Sequence, residues 1–325
     1  MTALPRVPLG ATGLAVTRLI LGAAPIAGLY RPVSAAQAQA TLEAAWAAGI
    51  RAFDTAPLYG AGLSEQRLGA FLTGLPRAEY VLSTKVGRLV VPAEAATEQA
   101  AIFAGAPPLG TVRDYSRDGV RASLEASLMR LGADRIDVAL VHDPEDHMAQ
   151  ALDEAIPALA ELRSAGVIAA IGVGMNYPDL ALRFVTEAEV DVVLIAGRYT
   201  LLNTSAAAAL LPECRKRGVA VLLGGVFNSG ILAGAGAGAG ATYDYQAAPA
   251  EIASRAQRIA EICARHRVPL GAAAVQFALG HPAVTAALVG AQAPAEARED
   301  AGYLSAAVPA ALFAELAGEG LIPAP

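Results

Sequence analysis

Side chains able to hold or transfer a proton follow successive apolar runs of the sequence. Asp54 and Tyr59 lie in the segment FDTAPLYG, directly after one apolar run, and Lys85 and His142 each close a later run. A phenol has a pKa of about 10, and a nearby ammonium lowers it by stabilising the phenolate. A carboxylate would keep that ammonium charged, and a neutral imidazole would orient a carbonyl or hydroxyl oxygen. The set predicts proton transfer at a C–O group.

Each of these residues alone has an ordinary structural explanation. A lysine after a strand is usually solvated, and a histidine closing an apolar run is more often a hydrogen-bonding group of the core. The sequence offers no obvious nucleophile, and Cys214 and Cys263 are too isolated to indicate a disulfide framework or a zinc site, so no metal is expected. Proton transfer at a C–O group without a nucleophile or a metal favours hydride transfer with a nicotinamide cofactor.

The elements that must position these groups alternate in type. Continuous apolar runs, typical of strands buried on both faces, predict strands at 18–22, 50–53, 80–84, 135–141, 167–173, 190–195, 219–223 and 284–289. Helices are predicted at 35–48, 64–72, 116–131, 149–165, 178–187, 206–217, 249–266, 271–279 and 294–306.

Eight strands alternating with helices predict an α/β fold, a single (β/α)₈ TIM-barrel domain over residues 1–325. Residues 6–16 are expected to form a β-hairpin before it, and residues 86–115 a long loop. The alternative is a doubly wound open sheet, which normally carries a Gly-x-Gly-x-x-Gly turn after its first strand. That turn is GAAP in this chain, at residues 22–25. In a barrel, chemistry lies at the carboxyl ends of the strands, where all four groups and Asn176 fall.

Composition excludes several classes of protein. The chain has 325 residues, a net charge of −6 and a pI of about 5.3, which argues against a nucleic-acid partner. No apolar run reaches the roughly 18 residues of a membrane span, and the amino terminus lacks the apolar segment of a signal peptide. We expect a cytoplasmic protein with a small-molecule substrate. Nothing in the sequence indicates an oligomeric state.

The segments FDTAPLYG, TK, VH and GVGMN, which contain Asp54, Tyr59, Lys85, His142 and Asn176, resemble signatures of the aldo-keto reductases. The resemblance extends over residues 9–304. It implies that Tyr59 is the general acid/base, that Lys85 tunes its pKa and that Asp54 pairs with Lys85. It also implies that His142 orients the substrate oxygen and that Asn176 binds the nicotinamide carboxamide.

Three further segments resemble the sugar-oxidising branch of the same family: HDPEDH at 142–147, AGRYTLL at 196–202 and GGVFNSG at 224–230. This implies NAD(P)-dependent oxidation of an aldose of the L-fucose, D-arabinose or L-galactose type at C1, giving the lactone. Alternatives with the same residues are oxidation of pyridoxal and reduction of a small aldehyde. A non-catalytic, cofactor-sensing regulatory subunit is an alternative of another class, and the complete set of four groups argues against it.

Two departures from the family pattern concern the cofactor. Many members have an aromatic residue after strand seven that stacks on the nicotinamide, whereas this chain has Gly224 and Gly225 there, so the stacking partner is either missing or Phe227. After strand eight, Glu296 occupies a position that is usually basic in members that bind the adenosine 2′-phosphate. A carboxylate repels that phosphate and can accept from ribose hydroxyls. NAD is therefore expected to be preferred, with NADP possible. Arg298 argues against this preference, because a basic side chain nearby could bind the 2′-phosphate.

The remaining candidates come from loops. Gly290, Gln292 and Asp300 belong to the same cofactor-binding stretch as Glu296. Substrate contacts are expected from Tyr30, Tyr115 and Arg198, although a structural ion pair is the alternative for Arg198. The Gly-Ala tract at 233–241 is interpreted either as a flap over the cofactor or as a surface loop.

Overall fold

The structure, a computed structural model, describes residues 4–99, 102–234 and 240–323. Its strands are, in chain order, β1 (Arg6–Pro8), β2 (Ala15–Thr17), β3 (Leu19–Gly22), β4 (Ala52–Asp54), β5 (Val81–Val86), β6 (Arg88–Pro92), β7 (Glu98–Gln99), β8 (Leu109–Arg113), β9 (Val138–His142), β10 (Ala170–Met175), β11 (Val192–Ala196), β12 (Ala220–Gly224), β13 (Thr242–Tyr243), β14 (Gln246–Ala247) and β15 (Val284–Val289).

The α-helices are α1 (Ala35–Ala47), α2 (Leu63–Leu72), α3 (Arg117–Leu131), α4 (Met148–Gln150), α5 (Ile156–Ser164), α6 (Pro178–Glu187), α7 (Leu210–Arg217), α8 (Ala250–Arg265), α9 (Leu270–Gly280), α10 (Pro294–Tyr303) and α11 (Ala310–Gly318). Ser34 and Ser116 cap α1 and α3 by accepting a hydrogen bond from a backbone N–H of the first turn. None of the helices in the described ranges has the length and apolarity to cross a bilayer.

Eight parallel strands close a barrel in the order β3-β4-β5-β9-β10-β11-β12-β15, and β15 pairs back onto β3. Each barrel strand pairs with the barrel strands before and after it in the chain, and helices connect them. The predicted (β/α)₈ barrel is confirmed. Apolar side chains fill two layers, one in the lumen and one between the strands and the surrounding helices.

The hairpin β1–β2 closes the amino-terminal end of the barrel. Leu9 and Val16 of the hairpin belong to the same buried cluster as lumen residues such as Leu140. Gly10 lies against the first residue of β12, where an added Cβ would come within 3.1 Å of the Gly218 carbonyl oxygen. With that end covered, the carboxyl end of the barrel is the one available to a ligand.

Three elements differ from the sequence prediction. The stretch 86–115, expected to be a loop, contains the antiparallel sheet β6-β8-β7, and a short hairpin β13–β14 follows the Gly-Ala tract. The helix α11 lies beyond the last predicted helix and buries Leu312 and Leu316. The sheet β6-β8-β7 depends on pairing between separated short segments, and β13 and β14 have only two residues each, so local periodicity reveals neither. The alanine-rich sequence of α11 weakens its amphipathic pattern.

Candidate active site

Alternation along the barrel strands directs three of the predicted groups into the lumen. In β9, Leu140 packs in the lumen cluster, and His142 follows it by two residues. In β4, Asp54 likewise follows the lumen residue Ala52 by two positions. In β5, Lys85 follows Val81, which packs against the lumen cluster, by four positions. Side chains two residues apart on a strand share a face. The carboxylate, ammonium and imidazole therefore meet at the open end of the barrel.

Lys85 is the buried centre of this group. Its Nζ donates to Asp54 Oδ1 at 2.6 Å, to the Thr55 carbonyl oxygen at 2.9 Å and to the Tyr59 hydroxyl at 3.2 Å. Ser83 Oγ donates to the other carboxylate oxygen of Asp54 at 2.9 Å. The Lys85 and Asp54 side chains are 2% and 3% exposed. An ammonium this deeply buried needs such partners to remain charged.

The pKa of the Tyr59 phenol reflects opposing influences. Burial raises the pKa of Tyr59 above its ordinary value; the charge of Lys85 lowers it, and that of Asp54 raises it. Burial alone would lower the pKa of Lys85, but the attraction of Asp54 and Tyr59 raises it above its ordinary value. Lys85 therefore acts in the expected direction, while burial outweighs it and leaves the phenol protonated at neutral pH.

His142 completes the group as a neutral imidazole. Burial lowers the pKa of His142 well below its ordinary value, and the charges of Arg88 and Lys85 act in the same direction. Its ring meets that of Tyr59 edge-on, with centroids 5.8 Å apart. Its Nδ1 has no hydrogen-bond partner among the described residues, and its Nε2 lies 3.5 Å from Asp143 Oδ2. A neutral imidazole can donate to a substrate oxygen without carrying charge.

Tyr115, predicted to contact substrate, has a different position. It is fully buried, and its hydroxyl lies 2.6 Å from the carbonyl oxygen of His142 and 2.9 Å from that of Asp143, to which it donates. A ring held in this way is not available to a ligand. The structure thus corrects the prediction: Tyr115 supports the backbone beside the imidazole.

A cavity of about 740 Å³ begins at Asp54 and Tyr59 and extends across the carboxyl ends of β11, β12 and β15. Asn176, Gly224 and Tyr30 are in its wall. Its far end is formed by residues after β15: Gly290, Gln292, Glu296, Glu299 and Asp300. The volume is in the range of small-molecule and cofactor sites. A cavity of this volume, lined by both Tyr59 and the residues after β15, suits a dinucleotide.

Comparison with known families agrees with this geometry. The model of the Aldo/keto reductase family matches residues 18–318. The chain belongs to this family. It is therefore an oxidoreductase, and aldo/keto reductases use nicotinamide cofactors.

Two curated relatives match this aldo/keto reductase over nearly their whole length. D-threo-aldose 1-dehydrogenase of a Pseudomonas species is 45% identical over 320 residues, which covers 97% of each chain. Pyridoxal 4-dehydrogenase of Microbacterium luteolum is 42% identical over 337 residues, again with 97% of each chain covered. Among solved structures, a holo-form aldo-keto reductase from Bacillus halodurans superposes with a TM-score of 0.79 at 24% identity, covering 99% of this chain and 97% of that one.

The wall of the reductase cavity has features that fit a nicotinamide cofactor. Asn228 is buried in the wall, and both polar atoms of its amide lack a hydrogen-bond partner among the described residues. An unpaired buried amide is costly, and a ligand that pairs with it removes the cost. Gly290 lies so close to Pro25 that an added Cβ would come within 2.7 Å of its Cγ, so a side chain there would also narrow the cavity.

Phe227 is in the cavity wall, but away from the proton-transfer group. Its ring packs edge-on against Tyr303, with centroids 6.2 Å apart, in the part of the wall that includes Asp300. The rings nearest Tyr59 are instead Phe103, with centroids 6.1 Å apart, and His142. The position of Phe227 suits the adenosine part of a dinucleotide better than the nicotinamide ring.

Glu296 is engaged on both carboxylate oxygens. One accepts from Arg31 at 2.9 Å, and the other accepts from the Gln292 backbone N–H at 2.7 Å. Arg31 also donates to the side chain of Gln292, which donates in turn to the Leu29 carbonyl oxygen. The segment after β3 is thereby clasped to the segment after β15. Because the Arg31 and Glu296 side chains are 60% and 41% exposed, the ion pair itself contributes little stability.

Asp300 adds an uncharged carboxyl group to this end of the cavity. Burial raises the pKa of Asp300 to about 8, and the charges of Glu296 and Glu299 act in the same direction. A protonated carboxyl presents one donor and one acceptor. This part of the wall can therefore hydrogen-bond a nucleoside in either sense.

Arg198, also predicted to contact the substrate, instead forms a structural ion pair with Asp244, the alternative that the sequence left open. Its Nε donates to the Asn176 carbonyl oxygen at 2.8 Å, and one terminal nitrogen donates to the two Asp244 carboxylate oxygens at 3.0 and 3.1 Å. It is absent from the cavity wall. Arg198 thus connects the end of β10 to the turn between β13 and β14, and the prediction of a substrate contact is corrected.

That turn brings Tyr245 to the cavity mouth, a residue that sequence reasoning missed. Asp244 and Tyr245 have φ of 48° and 65°, and Tyr30 opposite has φ of 65°. Positive φ at Asp244 and Tyr245 is what the two-residue turn between β13 and β14 requires. The rings of Tyr30 and Tyr245 lie 6.4 Å apart, centroid to centroid. The hairpin is local, with Tyr243 paired to Gln246 across the turn, but its strands have only two residues each, so only a turn signal could have indicated it.

Two predicted features are tested only in part. Residues 235–239 of the Gly-Ala tract are outside the described residues, so the flap interpretation stays a prediction. Cys214 and Cys263 are free and buried, and burial raises their pKa values to about 12 and about 11. In the described ranges there is no group of three or more side chains suited to bind a metal ion.

Proposed function

We propose that this reductase oxidises an aldose of the L-fucose, D-arabinose or L-galactose type at C1 to the lactone, with NAD as the preferred cofactor. The observation that carries the proposal is the buried Lys85, bonded to both Asp54 and the Tyr59 hydroxyl at one end of a dinucleotide-sized cavity. The high identity to an aldose 1-dehydrogenase supports the substrate class.

In the proposed reaction Tyr59, as phenolate, accepts the proton of the C1 hydroxyl while the hydride leaves C1. Lys85 stabilises the phenolate, and Asp54 acts on Tyr59 only by keeping Lys85 charged and in place. Neutral His142 donates to the C1 oxygen and fixes its distance from the phenol. When bound, the oxidised nicotinamide accepts the hydride and adds a positive charge that favours the phenolate.

The remaining side chains would hold the cofactor and shape the entrance. Asn176 would bind the nicotinamide carboxamide, and the unpaired amide of Asn228 would pair with the cofactor beside Gly224. Gln292, Glu296 and Asp300 would surround the adenosine. Tyr30, exposed at the mouth, would contact the sugar together with Tyr245.

Pyridoxal is the second candidate substrate. It forms a cyclic hemiacetal whose oxidation gives a lactone, and the relative that is 42% identical is a pyridoxal 4-dehydrogenase. The same four groups would serve it without change.

The test is a substrate panel of L-fucose, D-arabinose, L-galactose and pyridoxal, followed through the absorbance of NADH. The proposal predicts that at least one aldose is oxidised with a higher kcat/KM than pyridoxal. Oxidation of pyridoxal alone would assign the second function instead. Absence of NADH formation from all four compounds would contradict both functions.

We also propose a preference for NAD that depends on Glu296. The adenosine 2′-phosphate of NADP would meet the Glu296 carboxylate, whose repulsion Arg31 offsets only partly. Glu296→Gln removes the charge while its amide oxygen still accepts from the Gln292 backbone, and it frees Arg31 for a phosphate. We expect kcat/KM with NADP to rise about tenfold and kcat/KM with NAD to change less than about threefold.

The matched control is Glu251→Gln in the first turn of α8, where an exposed carboxylate is lost outside the cavity wall. It should leave the NAD/NADP ratio unchanged. Equal kcat/KM with the two cofactors in the wild-type enzyme would exclude the preference. The complementary Arg31→Met should lower kcat/KM with NADP more than with NAD.

A further inference from the structure

One acidic side chain at the site has no task in the proton transfer described above. Asp143 follows His142 directly, and its Oδ2 lies 3.5 Å from His142 Nε2 and 3.3 Å from a terminal nitrogen of Arg88. Both of these contacts use Oδ2, and no hydrogen bond to Oδ1 is present among the described residues. The side chain is 27% exposed, whereas those of His142 and Arg88 are 6% and 4% exposed. Of these three side chains, Asp143 is therefore the most exposed.

The backbone fixes Asp143 in an unusual conformation. Its φ is 44°, in the left-handed region. Its N–H donates to the Gly174 carbonyl oxygen at 2.9 Å, and its own carbonyl oxygen accepts from the Tyr115 hydroxyl at 2.9 Å. A non-glycine residue in this region costs free energy and persists when surrounding bonds determine it. Aspartate and asparagine tolerate the conformation better than most residues. The turn places the carboxylate beside the imidazole.

The charges around Asp143 show that its carboxylate is not needed to neutralise a lone cation. Arg88 also pairs with Glu98, and Arg113 donates to the same Glu98 at 2.9 Å. The Arg88 guanidinium therefore keeps a carboxylate partner if Asp143 loses its charge. The contact with Arg88 orients one oxygen of Asp143 and leaves the other available.

We infer that Asp143 is a specificity residue, whose carboxylate accepts a hydrogen bond from the substrate hydroxyl on the carbon next to the reacting carbon. This inference rests on the proposed oxidation at C1. If His142 Nε2 donates to the C1 oxygen, the Asp143 carboxylate lies next to that position, because its Oδ2 is 3.5 Å from Nε2. The oxygens on C1 and C2 of a sugar are close enough together for one to contact His142 while the other contacts Asp143. A substrate without that hydroxyl leaves the carboxylate without its donor, which penalises simple aldehydes and deoxy sugars.

The test compares two substrates that differ at C2 in the wild-type enzyme and in Asp143→Asn. Removing the C2 hydroxyl of D-arabinose gives 2-deoxy-D-ribose. A hydrogen bond to a charged group corresponds to about 10- to 100-fold in kcat/KM, so the wild-type enzyme should prefer D-arabinose by about that factor. Asparagine keeps the size of the side chain and tolerates the left-handed backbone. The preference should fall by about tenfold in the variant, chiefly through loss of activity on D-arabinose.

The kcat/KM for D-arabinose divided by that for 2-deoxy-D-ribose is compared between the wild-type enzyme and the variant. A change in this preference reports recognition of the C2 hydroxyl, whereas a general loss of activity reports damage to the fold. Differences in intrinsic reactivity between the two sugars cancel, because both enzymes act on the same pair. The control Asp146→Asn makes the same change on an exposed carboxylate that pairs with Arg113 at 3.2 Å, and it should leave the preference unchanged. Thermal unfolding of both variants checks that they are folded.

Other outcomes would overturn the inference. If Asp143→Asn lowers kcat/KM equally for both sugars, Asp143 only positions His142 or Arg88. If the preference survives at full activity, the C2 hydroxyl is recognised elsewhere. In both cases the proposed oxidation stands. If the wild-type enzyme oxidises neither these sugars nor the others of the panel, the proposed function has failed and the inference fails with it.

Discussion

Replacing Tyr59 by phenylalanine is expected to lower kcat by about 10²- to 10⁴-fold, the usual contribution of a general acid/base, while NAD binding is retained. The change removes only the hydroxyl, and Lys85 keeps its contacts with Asp54 and the Thr55 carbonyl. No buried charge is left without a partner, and the ring still fills the space between Phe103 and His142. Initial rates and a fluorescence titration with NADH measure the two properties separately.

Tyr80→Phe is the matched control for this variant. Tyr80 is a buried tyrosine that packs against Phe53 and lies outside the cavity wall. Its loss of a hydroxyl should leave kcat unchanged. A Tyr59→Phe enzyme with near wild-type turnover would show that another group transfers the proton.

Replacing Lys85 by methionine is expected to affect both stability and the pH profile. The variant leaves Asp54 buried with Ser83 as its remaining side-chain partner, which costs about 3–5 kcal/mol of unfolding free energy. The charge of Lys85 lowers the pKa of Tyr59, so its loss raises that pKa further. Because oxidation needs the phenolate, the rising limb of kcat against pH should move to higher pH, with kcat at neutral pH lowered about 10²-fold or more.

The double variant Asp54→Asn/Lys85→Met separates the two effects. It removes both charges, so its unfolding free energy should lie closer to that of the wild-type enzyme than the single variant's does. Its pH profile should remain shifted, because Lys85 influences the pKa of Tyr59 more strongly than Asp54 does. A profile that does not move in either variant would mean that Lys85 has a purely structural role.

Sequence reasoning located the proton-transfer group because the barrel converts chain order into position. Asp54 and His142 end their apolar strands, Lys85 is the next-to-last residue of its own, and alternation within each strand directs them into the lumen. What the sequence could not supply was the balance of forces on Tyr59, because burial is a property of the assembled site. The prediction that Lys85 lowers its pKa has the right direction, yet burial has the larger effect.

The loop residues were harder to predict, since their contacts come from distant segments. Tyr115 and Arg198 have side chains suited to a sugar, but both are committed to backbone carbonyls or to an ion pair. Tyr245 reaches the cavity mouth through a turn whose flanking strands have only two residues each, too few to show an alternating pattern. Arg31 meets Glu296 across 265 residues of sequence. Only tertiary structure brings such residues together.

The fate of the C1 hydrogen distinguishes hydride transfer to the cofactor from other routes of oxidation. The aldose of the panel with the highest kcat/KM is prepared with deuterium at C1, incubated with unlabelled NAD, and the NADH formed is analysed by mass spectrometry. Hydride transfer from C1 predicts NADH that carries the deuterium, together with a lactone that has lost it. Unlabelled NADH formed together with the lactone, with the deuterium released to solvent, would contradict hydride transfer from C1.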